Sequence, residues 1–174
     1  MTTNTPVPGK KKITLETVTV TLPSGVVKER RVVHPGHAVA MLPVEGDFCY
    51  LERQYRFAVD EWIYEAPAGT IDPGETPEET AYRELIEETG MAAETLIPRG
   101  GKIYPSPGYT DEVIYLFEAC GLSPSDAYGM DDDEQIEVVK VSLHEMEEMI
   151  RDGRIIDAKT ICLAYHHFRG QTNV

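Results

Sequence analysis

The sequence predicts one α/β or α+β sandwich domain, and three observations support this fold class. Strand-like and helical segments are intermixed along all 174 residues, without an internal repeat. A well-capped helix follows a glycine-bearing loop near the middle of the chain. The hydrophobic content of 41% and the charged content of 26% are ordinary for a globular protein of this length.

The first part of the chain predicts mostly strands. Residues 1–35 read as a polar tail and a β-hairpin, in which Pro23-Ser24-Gly25 forms the turn between two valine-bearing segments. Residues 36–174 are expected to form the main domain. Its first predicted strands lie at 38–43, 48–51 and 62–65.

The clearest predicted helix spans Pro77 to Thr89. Thr76 and Glu79 form a capping box, Pro77 suits the first helical position, and Gly90 supplies the stop. The remaining predicted elements are strands at 113–119 and 136–141, a short helix capped by Ser142 that ends near Gly153, and a last helix capped by Asp157 that runs through His166.

The charge and the composition limit the possible functions. A formal net charge of −14 argues against broad nucleic-acid binding, which requires a basic face. A polyanionic ligand could still bind if divalent cations neutralised a local cluster of carboxylates. No apolar run approaches the ~20 residues that cross a bilayer, and the three isolated cysteines read as reduced thiols, so we expect a cytoplasmic protein.

Three glutamates of the predicted helix, Glu84, Glu87 and Glu88, fall within one narrow arc because they are three and four residues apart. Like charges at this spacing repel, so a cation among them would stabilise the helix. Mg²⁺ suits carboxylate oxygens and commonly bridges them to substrate phosphates. The alternative is a solvated acidic face. The apolar arc expected to face the core consists of Ala81, Tyr82, Leu85 and Ile86.

The loop before this helix favours a metal site over a solvated face. Gly69 permits a close approach of the backbone, and Asp72-Pro73-Gly74 is a strong turn signal. Glu75 follows Gly69 after five residues, and the run Arg83–Met91 follows after seven more. This spacing, with the residue types that it carries, resembles the Nudix box of the Nudix hydrolases.

The resemblance implies an α/β/α sandwich in which the box forms a loop, a helix and a loop. It also implies an enzyme that hydrolyses a nucleoside diphosphate linked to another moiety, with Mg²⁺ or Mn²⁺ as cofactor. Arg83 would orient the carboxylates and would act with Glu88 in catalysis, while Glu75 would brace the loop against the helix. The implied metal ligands are Glu84, Glu87, Glu88 and the carbonyl oxygen of Ala68.

Other stretches resemble the ADP-ribose pyrophosphatase branch of this superfamily, which implies cleavage of ADP-ribose to AMP and ribose 5-phosphate. These stretches are residues 51–56 with 65–69, residues 106–112, and residues 131–139 with 157–160. A hydrolase of GDP- or UDP-sugars is the closest alternative. From another functional class, a catalytically silent sensor of nucleotide sugars is a further alternative, although every carboxylate of the box is present.

Two arginines are candidates for binding the substrate phosphates. Arg56 and Arg53 could each form bidentate hydrogen bonds with a phosphate, and the alternative for each is a surface ion pair with Glu52 or Asp60. Four aromatic residues could stack on a base, although aromatic residues near strands more often belong to the core. These are Trp62, Tyr64, Tyr104 and Tyr109, of which Tyr109 is the one that we predict in the substrate site.

The resemblance places the catalytic base on an acidic loop, where Glu134 would position or deprotonate the attacking water. Asp132 stands where many relatives carry a second glutamate, so the choice between these two carboxylates stays open. In the relatives that the chain resembles, an N-terminal extension pairs with the other subunit. That likeness implies a homodimer, and the alternative is a flap within one chain.

Overall fold

The computed structural model describes residues 13–129 and 135–170. β1 (Thr14–Thr21) and β2 (Val27–His34) form a two-stranded antiparallel sheet, called the N-terminal hairpin below. The larger sheet comprises β3 (Ala38–Glu45), β4 (Phe48–Arg56), β5 (Glu61–Glu65), β6 (Ala68–Thr70), β7 (Met91–Ile103), β8 (Ile114–Pro124) and β9 (Ile136–Ser142). The helices are α1 (Pro77–Thr89), α2 (Leu143–Arg151) and α3 (Ala158–Gly170).

The larger sheet consists of a mixed part and an antiparallel part. In the mixed part β3 runs parallel to β8, while β6 and β7 pair antiparallel with β3 and β8. In the antiparallel part β4 lies between β5 and β9. β3 and β4 pair only next to the turn at Gly46, at Val44–Cys49 and Glu45–Phe48. Both parts therefore contribute residues to the cleft described below.

The core lies on both faces of β3, because successive side chains of a strand point to opposite faces. Ala40 and Leu42 enter a core that contains residues of α2 and α3. Val39 and Met41 enter a second core that contains residues of α1. Because helices cover both faces of the sheet, the architecture is an α/β/α sandwich, and the predicted α/β fold class is confirmed.

Helix α1 has the predicted bounds. The Thr76 side chain accepts a hydrogen bond from the Glu79 amide, and the Glu79 carboxylate accepts one from the Thr76 amide. Gly90 ends the helix with φ 68°, a conformation that glycine adopts without strain. Three residues of the predicted apolar arc are buried, but Tyr82 is 41% exposed. The expectation for Tyr82 was wrong because it lines an open hollow beside Ala93.

Strand β7 was not predicted from the sequence. Pro98 and the pair Gly100-Gly101 interrupt any alternating pattern, and such residues normally weaken a strand. β7 lies at an edge and pairs only with β8 among the described strands, so a proline can be accommodated there. The register between the two strands shifts between Pro98 and Lys102, where the irregularity absorbs the glycines.

The N-terminal hairpin meets the main domain near the end of β2. The Val33 amide donates to the Tyr109 carbonyl oxygen at 2.8 Å, and His34 Nδ1 lies 2.7 Å from Asp111 Oδ2. Leu15 pairs with Val33 at this same end of the hairpin, and both Leu15 and the preceding Ile13 are exposed. Within the described residues, no helix is both long enough and apolar enough to span a membrane.

A buried carboxylate ties α3 to the mixed part of the sheet. Glu118 on β8 accepts hydrogen bonds from Arg99 Nε at 3.1 Å and from His167 Nδ1 at 2.9 Å. Burial by itself would raise the pKa of Glu118, but the hydrogen bonds from His167 and Arg99 outweigh it and lower the pKa to about 2. The ionised form of Glu118 therefore stabilises the fold.

We predict that Glu118→Gln lowers the free energy of unfolding at pH 7 by about 3 kcal/mol, because a depressed carboxylate pKa contributes stability above the unfolded-state pKa. That contribution is lost as the pH falls from about 4.5 to about 2, through the folded-state pKa. Urea denaturation at several pH values measures the difference. Glu148→Gln, in the exposed ion pair with Arg151, is the matched control and should change stability by under about 0.5 kcal/mol. A wild-type advantage over Glu118→Gln that stays constant between pH 7 and pH 3 would contradict this assignment.

Candidate active site

The three glutamates of the predicted metal site line one side of α1. Glu84 and Glu87 are 13% and 23% exposed, and Glu88 is 3% exposed. We call these three side chains the carboxylate stripe. The apolar residues on another side of α1 pack into the core and thereby fix the rotation of the helix. The helical spacing predicted this common placement.

Arg83 compensates the charge of the carboxylate stripe. Its Nη1 atom lies 2.9 Å from Glu84 Oε1 and 2.7 Å from Glu87 Oε2, and its Nη2 atom lies 3.0 Å from Glu75 Oε2. The hydrogen bonds to Glu75 raise the pKa of Arg83, and those from Arg83 lower the pKa of Glu75 to about 2. Glu75 also accepts a hydrogen bond from Thr80 at 2.7 Å. Glu75 thus joins the loop to the helix, as predicted.

Ala68 and Gly69, which the sequence predicts in a loop, lie in the short strand β6 because they pair with β3, and they lie directly against the carboxylate stripe. The Ala68 amide donates to Glu88 Oε2 at 2.8 Å, so the peptide unit beside the expected carbonyl ligand touches a glutamate. A Cβ atom added to Gly69 would lie 1.9 Å from Glu84 Cδ. Any side chain at residue 69 would therefore displace Glu84, so glycine at this position keeps Glu84 in the carboxylate stripe.

The donor set of the carboxylate stripe suits a hard divalent cation. Within residues 13–129 and 135–170, no three His, Cys, Asp or Glu side chains already surround one point as a metal-binding cluster. Mg²⁺ does not require such a cage, because it usually keeps several waters and binds one or two carboxylates together with substrate phosphates. The carboxylate stripe contains three glutamates, Glu84, Glu87 and Glu88, and Arg83 contributes a single positive charge. The excess of negative charge fits a divalent cation such as Mg²⁺.

A cleft of about 350 Å³ extends beside the carboxylate stripe and is lined by Ala68 and Gly69 together with residues of β3, β5 and α3. Arg56 on β4 enters it and forms a bidentate ion pair with Glu65, at 2.7 and 2.8 Å. Burial by itself would lower the pKa of Arg56. The carboxylates of Glu65 and of the more distant Glu88 raise this pKa by a larger amount, so the net shift is upward. The guanidinium thus lies within electrostatic reach of the carboxylate stripe.

Both arginines form ion pairs, but not with the residues that the sequence suggested as partners. Arg56 contacts Glu65 instead of Glu52 or Asp60. Arg53, on the opposite face of β4, lies 3.1 Å from Glu137 and stacks over the Trp62 ring at 4.9 Å. Arg53 does not line the cleft of this chain, and its role in substrate binding stays a prediction.

The four candidate aromatic residues separate into two groups. Tyr64 packs against the core that contains α2 and α3, as expected for an aromatic residue in a strand. Trp62, Tyr104 and Tyr109 are 39%, 52% and 58% exposed, so the core alternative is wrong for these three. Tyr109 lies where the N-terminal hairpin meets the domain, because its carbonyl oxygen accepts from the Val33 amide.

Three charged residues of the cleft received no role from the sequence, although each lies in a stretch that resembles the ADP-ribose pyrophosphatases. Glu65 is 1% exposed, and Lys159 on α3 contacts its carboxylate. Glu112 lines the same cleft, where burial raises its pKa and Lys159 partly offsets that effect. These contacts join residues distant in the sequence, so spacing could not reveal them.

The predicted base, Glu134, and its alternative, Asp132, lie outside the described residues. After them, Gln135 accepts a long hydrogen bond of 3.5 Å from the Tyr55 amide, and β9 begins at Ile136. Ile136 pairs with Gln54, two residues before Arg56 on β4. Gln135, which follows Glu134 in the sequence, therefore lies beside β4, the strand that carries Arg56.

A larger hollow of about 590 Å³ lies at the start of α1 and suits a diphosphate less well. Glu75, Glu78, Glu79 and Glu94 line it, and the cation among its lining residues is Arg83, which already contacts three carboxylates. An anionic ligand would meet net repulsion there. The cleft with Arg56 is the better candidate for a phosphate-bearing substrate.

We predict that Gly69→Ala weakens Mg²⁺ binding by about tenfold or more, because the added methyl group would displace Glu84 from the carboxylate stripe. Titration calorimetry with MgCl₂ measures the affinity. Gly129→Ala is the matched control, since a Cβ atom there meets nothing within 4 Å. Equal Mg²⁺ affinity in the wild type and in Gly69→Ala would contradict the placement of the ion beside Glu84.

Comparison with known proteins agrees with this geometry. The NUDIX domain model matches residues 33–163. An ADP-ribose pyrophosphatase of Bacillus subtilis is 40% identical over 154 residues, covering 86% of this chain and 82% of its own. A methanol dehydrogenase activator of Bacillus methanolicus is 39% identical over 155 residues, covering 86% and 81%.

A GDP-mannose pyrophosphatase of Cronobacter sakazakii is 37% identical over 155 residues, covering 81% of this chain and 78% of its own. A crystal structure of an ADP compounds hydrolase superposes with a TM-score of 0.81 at 27% identity, covering 97% of this chain and 92% of that chain. The matched region contains α1, strand β6 with Gly69, and the cleft. The chain belongs to the Nudix hydrolase superfamily, as its box of residues predicted.

Proposed function

We propose that this chain is a Mg²⁺-dependent Nudix pyrophosphohydrolase that cleaves the diphosphate bond of ADP-ribose, giving AMP and ribose 5-phosphate. One observation supports this most directly. A cleft that contains Arg56 opens beside the carboxylate stripe, so a cationic phosphate site and a metal-binding surface adjoin each other. A diphosphate needs both, because its charge must be neutralised before a water can attack it.

The named relatives support the substrate class. The Bacillus subtilis relative is an ADP-ribose pyrophosphatase, and the superposed structure is an ADP compounds hydrolase. The Cronobacter relative is a GDP-mannose pyrophosphatase, which favours a GDP-sugar as the second candidate substrate. Hydrolysis of a nucleoside diphosphate sugar accommodates both. We choose adenine as the base because the ADP-ribose pyrophosphatase matches this chain at higher identity than the GDP-mannose pyrophosphatase does.

Arg56 binds one phosphate of the substrate. Its Nε and one Nη2 hydrogen are used by Glu65, which leaves the two hydrogens of Nη1 and one of Nη2 to donate. Glu65 holds the guanidinium plane in a fixed orientation, so less conformational entropy is lost when the phosphate binds. Arg83 keeps Glu84 and Glu87 in place on α1. Tyr109 remains a candidate for stacking on the base, and Arg53 remains a candidate for binding a phosphate.

Glu84, Glu87, Glu88 and the Ala68 carbonyl are the proposed ligands of Mg²⁺, with Mn²⁺ as a possible substitute. When bound, the ion neutralises the diphosphate and makes the attacking water more acidic. Glu134, or Asp132 in its place, positions and deprotonates that water. The oxygen of that water forms a bond to one phosphorus, and the electron pair of the broken P–O bond leaves with the other phosphate.

We predict that Glu88→Gln lowers kcat by roughly 10²–10⁴ without unfolding the protein, because it removes a charge that binds the metal while keeping the shape of the side chain. Rates with ADP-ribose and Mg²⁺, together with the melting temperature, measure this. Glu78→Gln is the matched control on the exposed side of the same helix and should retain wild-type turnover. Near-wild-type turnover of Glu88→Gln would refute the assignment of the metal site.

A panel of substrates tests the function itself. With MgCl₂ present we expect hydrolysis of ADP-ribose to exceed that of GDP-mannose, UDP-glucose and dinucleotides, as measured by chromatography of the products. Faster cleavage of GDP-mannose would favour the GDP-sugar alternative. Binding of sugar nucleotides without any hydrolysis would favour the catalytically silent sensor. Activity that survives complete removal of divalent ions would contradict the proposed cofactor.

A second copy of the chain is the proposed partner. A two-stranded hairpin by itself is marginally stable in water, and the N-terminal hairpin exposes Ile13, Leu15 and Val27. Packing against another subunit would bury these side chains. We also propose a cytoplasmic location, because the free thiols of Cys49, Cys120 and Cys162 are typical of a reducing compartment.

Light scattering under assay conditions should give the mass of a homodimer, and a chain that lacks residues 1–35 should give that of a monomer. The hairpin supplies the interface in this proposal, so its removal separates the subunits. A monomeric full-length protein would favour the alternative of a flap within one chain. A deletion variant that stays dimeric would place the interface elsewhere.

A further inference from the structure

The segment between β7 and β8, residues 104–113, carries residues of the cleft, and we call it the cleft loop. Pro105 and Glu112 line the cleft, and Tyr109 is our candidate for stacking on the base. Inside the loop, the Tyr109 amide donates to the Ser106 carbonyl oxygen at 3.3 Å. This turn gives the loop a local shape, but a contact within a loop does not fix its position against the rest of the domain.

The N-terminal hairpin holds the cleft loop at the end of β2. The Val33 amide donates to the Tyr109 carbonyl oxygen at 2.8 Å, and the Asp111 amide donates to the Val33 carbonyl oxygen at 3.4 Å. Next to this backbone pairing, His34 Nδ1 lies 2.7 Å from Asp111 Oδ2. Asp111 directly precedes Glu112, the carboxylate that lines the cleft. The hairpin therefore contacts the loop immediately beside a residue of the cleft.

The imidazole of His34 lies between two carboxylates. On the side opposite Asp111, its Nε2 atom lies 3.4 Å from Glu16 Oε2 of β1. Nε2 is inaccessible to water and forms no hydrogen bond of good geometry with a described residue. A neutral imidazole has a single N–H donor, so it would turn a lone pair towards one of the two carboxylates. The imidazolium form has a donor on each nitrogen and a positive charge, and it therefore matches both sides.

The charges around His34 favour the same imidazolium form. The hydrogen bond with Asp111 raises the pKa of His34 above its ordinary value, desolvation opposes this effect, and the charge of Glu16 adds to it. The contact with His34 in turn lowers the pKa of Asp111, to which the nearby His37 contributes a smaller effect. Because the pKa of His34 is raised, its charge is present at acidic pH and is lost as the pH rises through the folded-state pKa.

We propose that His34 is a positioning residue, whose imidazolium group holds the cleft loop against the N-terminal hairpin and thereby keeps Tyr109 and Glu112 at the substrate cleft. His34 does not line the cleft, so it acts through Asp111 and not through contact with the substrate. This inference rests on the proposed function, since the cleft is the one that binds the nucleotide there. When His34 loses its charge, the loop occupies the binding position for a smaller fraction of the time, and the apparent affinity falls by that fraction.

Binding of ADP in the presence of MgCl₂ tests this role without turnover of a nucleotide sugar. We expect His34→Gln to weaken ADP binding by about three- to tenfold at pH 6, because the neutral amide offers no positive charge to either carboxylate. The ratio of wild-type to variant affinity should fall towards one as the pH rises to 9 and the wild-type imidazole loses its proton. This ratio cancels the titration of ADP itself. Titration calorimetry measures the affinities.

Asp111→Asn should weaken ADP binding to a similar extent at pH 6. The double variant His34→Gln with Asp111→Asn should lose little more affinity than either single variant, because both substitutions remove one interaction. His144→Gln is the matched control, since this histidine is exposed on α2, and it should keep the wild-type affinity at every pH. Light scattering should give one mass for the wild type and both single variants, so that a change of subunit assembly does not explain the loss.

A merely structural role would lower the melting temperature of His34→Gln and leave the ADP affinity of the folded variant unchanged at pH 6, and this result would overturn the inference. An affinity ratio that stays constant between pH 6 and pH 9, additive losses in the double variant, a changed mass, or a wild-type protein that does not bind ADP would also overturn it. If His34→Gln fails to fold, the same pH series with Asp111→Asn decides, because this variant weakens the same contact from the loop side.

Hydrolysis is measured separately, so the two proposals can fail independently. A wild-type protein that cleaves ADP-ribose, together with a His34→Gln variant that binds ADP normally at pH 6, would refute only the role of His34. A wild-type protein that cleaves no nucleotide sugar, together with a pH-dependent loss of ADP binding in His34→Gln, would refute only the proposed function.

Discussion

The repulsion among the glutamates of α1 is the constraint on which the rest of the site depends. Glu84, Glu87 and Glu88 lie on one side of the helix, and Glu75 approaches the same guanidinium from the preceding loop. Arg83 contacts three of these four carboxylates and so allows the helix to form with the glutamates in position. One positive charge leaves a local excess of negative charge, which a divalent cation can occupy.

In the cleft, a buried negative charge likewise requires positive partners. Glu65 is nearly inaccessible to water, and a buried carboxylate is tolerated only with ionic partners and hydrogen bonds. Arg56 and Lys159 provide them from β4 and α3, so two cations line a cleft that also contains Glu112 and Asp157. A surface that suits divalent ions therefore lies next to two cationic groups that can donate hydrogen bonds to phosphate. This pairing lets a chain of net charge −14 accommodate an anionic substrate.

Local signals account for what could be predicted from the sequence. The bounds of α1 follow from the Thr76 cap and from Gly90, and both operate within a few residues. The common side of Glu84, Glu87 and Glu88 follows from helical periodicity alone. β7 could not be predicted, because its proline and glycines break the alternating pattern, and only pairing with β8 makes it a strand. Tyr82 shows the same limit, since periodicity does not reveal whether a helix edge is covered.

The sequence alone determined the Nudix box, the helix that displays its carboxylates and the type of ion that they suit, because these depend on residue type and short-range spacing. The tertiary structure decided which charges meet in the cleft. Glu65 and Lys159 are 94 residues apart, and they touch because α3 packs against β3, β7 and β8 of the same sheet. It also paired Arg53 with Glu137 of β9 and Arg56 with Glu65 of β5. Such contacts result from packing the whole chain, which no local pattern encodes.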